Sequence, residues 1–195
     1  MKKILIGTKN THKREKLSKI IAGRFEPVYA DALPEVEETG TTFLEVAEAK
    51  AAAYSLMKGG MTIATDGGAV LPGLISWDPL RTRRFLDGTD EERIAKLMDL
   101  MKNAADRTIE WHEAIAVAES GRVLFSAKAR AMDGKIANAF ERRHYRPGIW
   151  LCSITDFPTF GGRNFFDLSP QEQAATEDSW TELGRSFNEF ADGLK

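Results

Sequence analysis

The spacing of apolar and polar positions divides the chain into elements. Lys3 to Thr8 (K-I-L-I-G-T) is an apolar run closed by polar residues and reads as a short strand. Asn10 and Thr11 come next, with side-chain oxygens able to accept the unpaired amides of a helix start. The spacing predicts a helix from about His12 to Ala22, with Leu17, Ile20 and Ile21 on one face and Gly23 as its stop. Phe25 to Ala30 reads as a second strand. Strand, helix, strand at this spacing points to a parallel pair in an α/β arrangement.

Beyond an acidic loop, Glu35 to Gly40, the pair Thr42 and Glu45 has capping-box spacing. The Ala-rich helix it opens should reach about Met57, before Gly59-Gly60, and Met61 to Ala64 should return as a strand that meets Thr65-Asp66-Gly67-Gly68. From Leu71 to Gly88 the pattern is irregular and carries Arg81, Arg83 and Arg84, whereas Ile94, Leu97, Met98 and Met101 have helical spacing. Thr108 to Ala118 and Arg122 to Met132 flank Ser120-Gly121 as a predicted hairpin of long strands. Residues 137–148 read as a basic loop, Trp150 as the start of another strand, and Trp180, Leu183, Phe187 and Phe190 as the apolar face of a terminal helix. The expected fold is α/β, a long mixed β-sheet with flanking helices, in two lobes around a central cleft.

Composition narrows the options. A chain of 195 residues suits one domain, here expected as residues 1–195 with two lobes. Hydrophobic residues at 43% and charged residues at 29% are the balance of a globular protein and exclude a low-complexity chain. Lys plus Arg number 27 against 29 Asp plus Glu, so no overall positive field draws the chain to nucleic acid or anionic lipid. Cys152 is alone and can form no internal disulfide or thiolate zinc cage. No apolar run approaches the ~20 residues that span a bilayer, and the stretch after Lys2 and Lys3 ends at Gly7, short for a signal-peptide core. A cytoplasmic location is expected.

Three segments carry candidate chemistry. Thr8 to Lys13 (T-K-N-T-H-K) lies at a strand-to-helix turn, where free amides and the helix dipole suit a phosphate, and Lys13 adds a full charge. The same residues also make an ordinary cap with a solvated lysine. Glu37-Glu38-Thr39-Gly40, leading into Thr42 to Glu45, places carboxylates before a helix, where they could hold Mg²⁺ or simply favour the dipole. Ile63 to Gly68 (I-A-T-D-G-G) reads as an apolar strand ending in a carboxylate and two glycines, a place where α/β folds seat ligands, or as an Asp-Gly turn.

Together these segments resemble the inosine triphosphate pyrophosphatase family, which hydrolyses non-canonical purine nucleoside triphosphates to monophosphate and pyrophosphate. Thr8, Asn10, Lys13 and Glu15 match its opening motif, and Glu38 to Glu45 with Lys50 match its Glu-Thr-Gly-x-Thr-Phe-x-Glu segment. The resemblance runs to about residue 135 and more faintly to the end. The Ser-rich opening of the similar Maf-type pyrophosphatases is missing here. The family's Asp-Asp-Ser-Gly-Leu is Thr65-Asp66-Gly67-Gly68-Ala69 in this chain, so the second Asp survives as Asp66 while the first Asp and the Ser are gone. Thr82, Arg83, Arg84 and Phe85 loosely represent a Ser-x-Arg-aromatic segment. Gly148 to Cys152 aligns with the base-binding Phe-Gly-Tyr-Asp-Pro, with Trp150 as the stacking aromatic and Leu151 where an Asp would be; Arg163-Asn164-Phe165 aligns with Lys-Thr-Phe, and Ser179-Trp180-Thr181 with a purine-gripping Ser-His-Arg.

The resemblance implies a Mg²⁺-dependent nucleoside triphosphate pyrophosphatase with a nucleotide cleft and an altered base pocket. Its implied catalytic residues are Asp66 and Lys13. Substrate would be held by Thr8, Asn10, Lys13, Gly67, Trp150 and Arg163, and the metal by Glu38 and Asp66. A homodimer is expected, with nucleic acid and membrane not expected as partners. The alternative is a nucleotide-binding protein of the same fold with reduced turnover. His12, His112 and His144 show no zinc spacing and read as surface or sheet residues; the cluster Arg142 to Arg146 reads as a solvated loop, with nucleotide-phosphate or RNA contact as the alternative; Cys152 reads as a buried strand residue.

Overall fold

The computed structural model describes residues 1–30, 32–36, 40–81 and 86–194. In chain order these form β1 (Lys2–Ile6), α1 (Thr11–Ile21), β2 (Phe25–Val28), α2 (Phe43–Lys58), β3 (Met61–Val70), α3 (Asp90–Leu100), β4 (Thr108–Glu119), β5 (Arg122–Arg130), β6 (Gly134–Ile136), β7 (Thr155–Phe157), β8 (Arg163–Asn164), α4 (Pro170–Thr176) and α5 (Ser179–Asp192). The fold is the expected mixed α/β arrangement. Among the described residues no helix is long and apolar enough to cross a membrane.

The chain folds into two compact units, and β3 and β4 each run from one into the other. Unit 1 comprises residues 1–67, 112–130 and 179–195. In it β1 pairs in parallel with β2 and with β3, and β4 and β5 form the antiparallel hairpin around Ser120-Gly121. Pro27 lacks an amide proton and sits on β2, the terminal strand of the order, where the ladder loses least. One sheet face carries Ile4, Ile6, Ile63, Ile115 and Val117, which pack with Leu17 and Ile21 of α1 and Leu183 and Phe187 of α5. The other is a layer of alanines, in which Ala47 and Ala51 of α2 meet Ala64, Ala114, Ala116 and Ala118. The Ala-rich composition of α2 follows from this, since small side chains on both surfaces bring helix and sheet close.

Unit 2 comprises residues 68–111 and 131–178. There β6 pairs antiparallel with the start of β4, then with β7, which pairs with β8. Its core joins Leu71, Trp77, Ile94, Leu97, Met101, Ile109, Ile136, Trp150 and Ile154.

Capping chemistry matches the expected helix starts. Asn10 accepts the Lys13 amide, and the Thr42–Glu45 capping box is complete in both directions. Five expectations are corrected. β2 ends at Val28 rather than Ala30. β3 does not stop at Ala64 but continues through Asp66, Gly67 and Gly68 to Val70, so the Asp-Gly-Gly segment is extended strand and not a turn. Trp150 starts no strand: amides of Cys152, Ser153 and Ile154 bond carbonyls three residues back, which winds this segment into turns, and β7 begins at Thr155. His144 is no surface residue; it is 5% exposed, with Nε2 2.9 Å from Asp167 Oδ2. Cys152 lies in the same wound segment rather than a strand, and desolvation pushes its thiol up to about 12, which leaves it unreactive at neutral pH.

Candidate active site

The site begins where β1 turns into α1. Asn10 Oδ1 accepts the Lys13 amide at 3.0 Å, and the Asn10 amide donates to Thr8 Oγ1 at 3.2 Å. Arg14 Nε locks the Thr8 carbonyl at 2.7 Å. The polar turn is thereby rigid before any ligand arrives. Lys13, one turn into α1, extends its ammonium to the Gly67 carbonyl at 3.3 Å and to Glu113 Oε2 at 3.2 Å.

A second pair lies alongside. Lys50 Nζ of α2 bonds Asp66 Oδ1 at 2.6 Å. All four charged side chains are 17–18% exposed, so none is an ordinary solvated surface charge. Strand alternation explains the pairing. Ile63 packs with Leu17 of α1, and Ala64 with Ala47 of α2. Successive residues face opposite sides, so Thr65 and Gly67 turn to the α1 side and Asp66 to the α2 side. The contacts agree: Thr65 Oγ1 donates to Glu113 Oε2 at 3.3 Å beside Lys13, while Asp66 meets Lys50. Residues 65–67 thus present a lysine–carboxylate pair on each face of one strand.

Glu113 is the residue that sequence reasoning missed. Its signal was a carboxylate directly before the apolar run Ala114-Ile115-Ala116-Val117 of β4. Burial pushes the Glu113 carboxyl above the usual carboxylate range; the charge of Lys13 opposes that shift and the charge of Asp66 adds to it. The two positions where the Asp-Asp-Ser-Gly pattern is broken by uncharged residues, Thr65 and Gly67, are the two that face Glu113. A Cβ on Gly67 would collide with the Glu113 carboxylate and come within 2.5 Å of the His112 carbonyl oxygen. The glycine therefore marks a close approach of β4, not a turn. Gly67→Ala should destabilise the protein by about 1–3 kcal/mol through this overpacking, read as a lower denaturant midpoint; a midpoint equal to the parent's would show that β4 yields freely.

The turn and the Lys13–Gly67 bond bring Thr8, Asn10 and Lys13 to β3 at Gly67, while Asp66, its neighbour on the strand, faces the other side beside Lys50. Among the described residues, the other expected ones make none of these contacts. Trp150 is 7% exposed and packs in the unit 2 core. Arg163, also in unit 2, donates to the carbonyls of Phe160 and Asp167 at 3.1 and 3.3 Å and pairs with Glu172. Trp180, expected on the apolar face of the terminal helix, does pack in the unit 1 core. Glu38 and the segment Thr82 to Phe85 lie outside the described residues. Glu45 accepts from the Thr41 hydroxyl and amide at 2.7 Å each, which holds its carboxyl below the usual range and commits it to the helix cap. Among the described residues no group of three or more His, Cys, Asp or Glu side chains could hold a metal. A cavity of about 560 Å³ in unit 2, lined by Asp106, Lys135, Asn138 and Asp156 among others, contains none of the site residues.

Comparison with known proteins adds an independent line. The sequence model of the Ham1 family matches residues 4–146. A dITP/XTP pyrophosphatase of Geobacillus kaustophilus is 36% identical over 208 aligned positions, covering 99% of this chain and 98% of that protein. A non-canonical purine NTP pyrophosphatase homolog of Halalkalibacterium halodurans is 32% identical over 122 positions, 60% of this chain and 63% of the relative. A dITP/XTP pyrophosphatase of Gloeobacter violaceus is 36% identical, with 66% of each chain covered, so these last two matches span less than two thirds of the relatives' lengths. A HAM1 protein structure from Coxiella burnetii superimposes with a TM-score of 0.79 at 25% identity, covering 97% of this chain and all of the other.

Proposed function

Since this chain belongs to the Ham1 family, we propose that it hydrolyses a nucleoside triphosphate to monophosphate and pyrophosphate with the help of a divalent metal. The observation that carries the reading is the lysine–carboxylate pair on each face of β3, with both pairs at residues 65–67. A triphosphate needs several cationic donors and a carboxylate near the bond to be broken. Lys13, standing at the start of α1 where the dipole also favours anions, is the donor for phosphate oxygens. Asp66 is the group that would orient water and take its proton as the water oxygen attacks the α-phosphorus. The bond to the bridging oxygen breaks, and pyrophosphate leaves. Lys50 fixes Asp66 in place for this task through its 2.6 Å bond.

The donor set suits a hard cation. Mg²⁺ asks for only one or two protein carboxylates and takes its remaining oxygens from phosphate and water. Asp66 is the described carboxylate for it, with Glu38 as the second ligand. When bound, the metal supplies charge neutralisation at the phosphates. The reading extends to a cytoplasmic homodimer, its mass checked by analytical ultracentrifugation. Trp180 and Thr181 stand where the family carries the His and Arg that grip the purine, and Leu151 where it carries an Asp, so a standard preference for inosine over adenosine and guanosine triphosphates is not expected.

Pyrophosphate release across dITP, XTP, ATP and GTP tests the proposal: metal-dependent release from at least one supports it. Saturable binding of all four without release would replace it with the nucleotide-binding reading. Lys13→Ala should weaken triphosphate binding by about 1.5–3 kcal/mol while leaving nucleoside binding nearly unchanged, since one charge-assisted bond is lost. Equal triphosphate affinity in the variant would return Lys13 to a purely structural role.

A further inference from the structure

Glu113 has no part in the hydrolysis outlined above, yet it is the carboxylate that Lys13 holds. Its Oε2 lies 3.2 Å from Lys13 Nζ and 3.3 Å from Thr65 Oγ1, and its carboxyl group fills the space beside Gly67. An ammonium has three N–H donors. In this structure Lys13 directs them to one anionic oxygen and one carbonyl, the Gly67 oxygen at 3.3 Å. A phosphate oxygen is the same kind of ligand as the carboxylate, an anionic acceptor for the same ammonium. Two such anions a few ångströms apart in a part-buried site repel each other. The lysine stem is flexible enough to move its charge from one to the other.

We propose that Glu113 is a built-in competitor for pyrophosphate at Lys13, an affinity-setting positioning residue whose carboxylate holds the ammonium in the free protein and reclaims it as product leaves. The inference rests on the reading of Lys13 as a phosphate donor. Its consequence is that this site is tuned against tight product binding. The carboxylate lowers the affinity of the Lys13 ammonium for any phosphate, and the share of binding lost is greatest for free pyrophosphate, which has no base or sugar to add contacts.

The test uses the full chain and inorganic pyrophosphate as probe, with binding read by titration calorimetry. Glu113→Gln retains the shape and the hydrogen-bonding capacity toward Thr65 and Lys13 while removing the charge. It should bind pyrophosphate about tenfold more tightly, the scale of one charge-assisted contact, and turnover should be inhibited by correspondingly less product. Glu113→Ser, a second uncharged variant, should show the same gain, and Glu113→Asp should keep the parent affinity. On a Lys13→Ala background the gain should shrink, because no ammonium remains to be released. Damage to the fold weakens binding and cannot produce a gain. Equal or weaker pyrophosphate binding by both uncharged variants overturns the inference, as does absence of binding by every variant. Should the parent release pyrophosphate from no nucleotide while Glu113→Gln still gains affinity, the hydrolase reading fails and the competitor stands.

Discussion

Asp66→Asn should lower pyrophosphate release by at least about 10²-fold while the fold and much of the nucleotide affinity persist; general-base catalysis alone contributes roughly 10²–10⁴-fold. The substitution keeps size and shape. It removes the proposed proton acceptor and the described carboxylate proposed for the metal. Asp66 stands within a continuous strand, β3, with Lys50 bonded to Oδ1 at 2.6 Å, so its position is set by the sheet and not by a loop. An asparagine oxygen can still accept from Lys50, which is why the structural effect should be small. The assay is steady-state release at saturating metal and nucleotide, with circular dichroism to confirm the fold. A variant that turns over its best nucleotide at the parent rate would remove Asp66 from the reaction.

Phe187→Ala should cost about 3–5 kcal/mol of stability, the range for deleting a buried aromatic ring. Phe187 is fully buried on α5 and lies at the centre of an aromatic group, with ring centroids 5.9 Å from Phe25, 6.3 Å from Phe125 and 6.1 Å from Phe190. The group joins α5 to β2 and β5, and α5 also packs on α1, the helix that carries Lys13. Removal of the ring leaves a cavity that the stiff strands on two sides cannot close. At roughly 2–4 °C per kcal/mol for a chain of this size, the melting temperature should fall by about 6–20 °C. Phe187→Leu, which refills part of the volume, should lose less. A melting temperature within two or three degrees of the parent's would show that the aromatic group repacks.

By itself the sequence determined what depends on residues close together in the chain. The Asn10 cap, the Thr42–Glu45 capping box, the hairpin at Ser120-Gly121 with Ser120 at φ 53° and the amphipathic α5 were all legible, because capping, turn chemistry and helical periodicity act over about four residues. Lys13 and Asp66 were legible as candidates for the same reason, each embedded in a recognisable local segment. Tertiary structure decided the rest. Gly67 and Gly68 left a ligand-seating strand end and an Asp-Gly turn both open; β3 runs through them to Val70, and residues 45 and 46 positions away on β4 leave no room for a Cβ at 67. Trp180 was legible as core from its helical spacing, whereas the packing of Trp150 in the unit 2 core was not, since an aromatic ring looks the same in sequence whether it stacks on a ligand or on leucines. Glu113 was passed over because its partners are 48 and 100 residues distant, and only the adjacency of β3 to β4 places its carboxylate between Thr65 and Lys13.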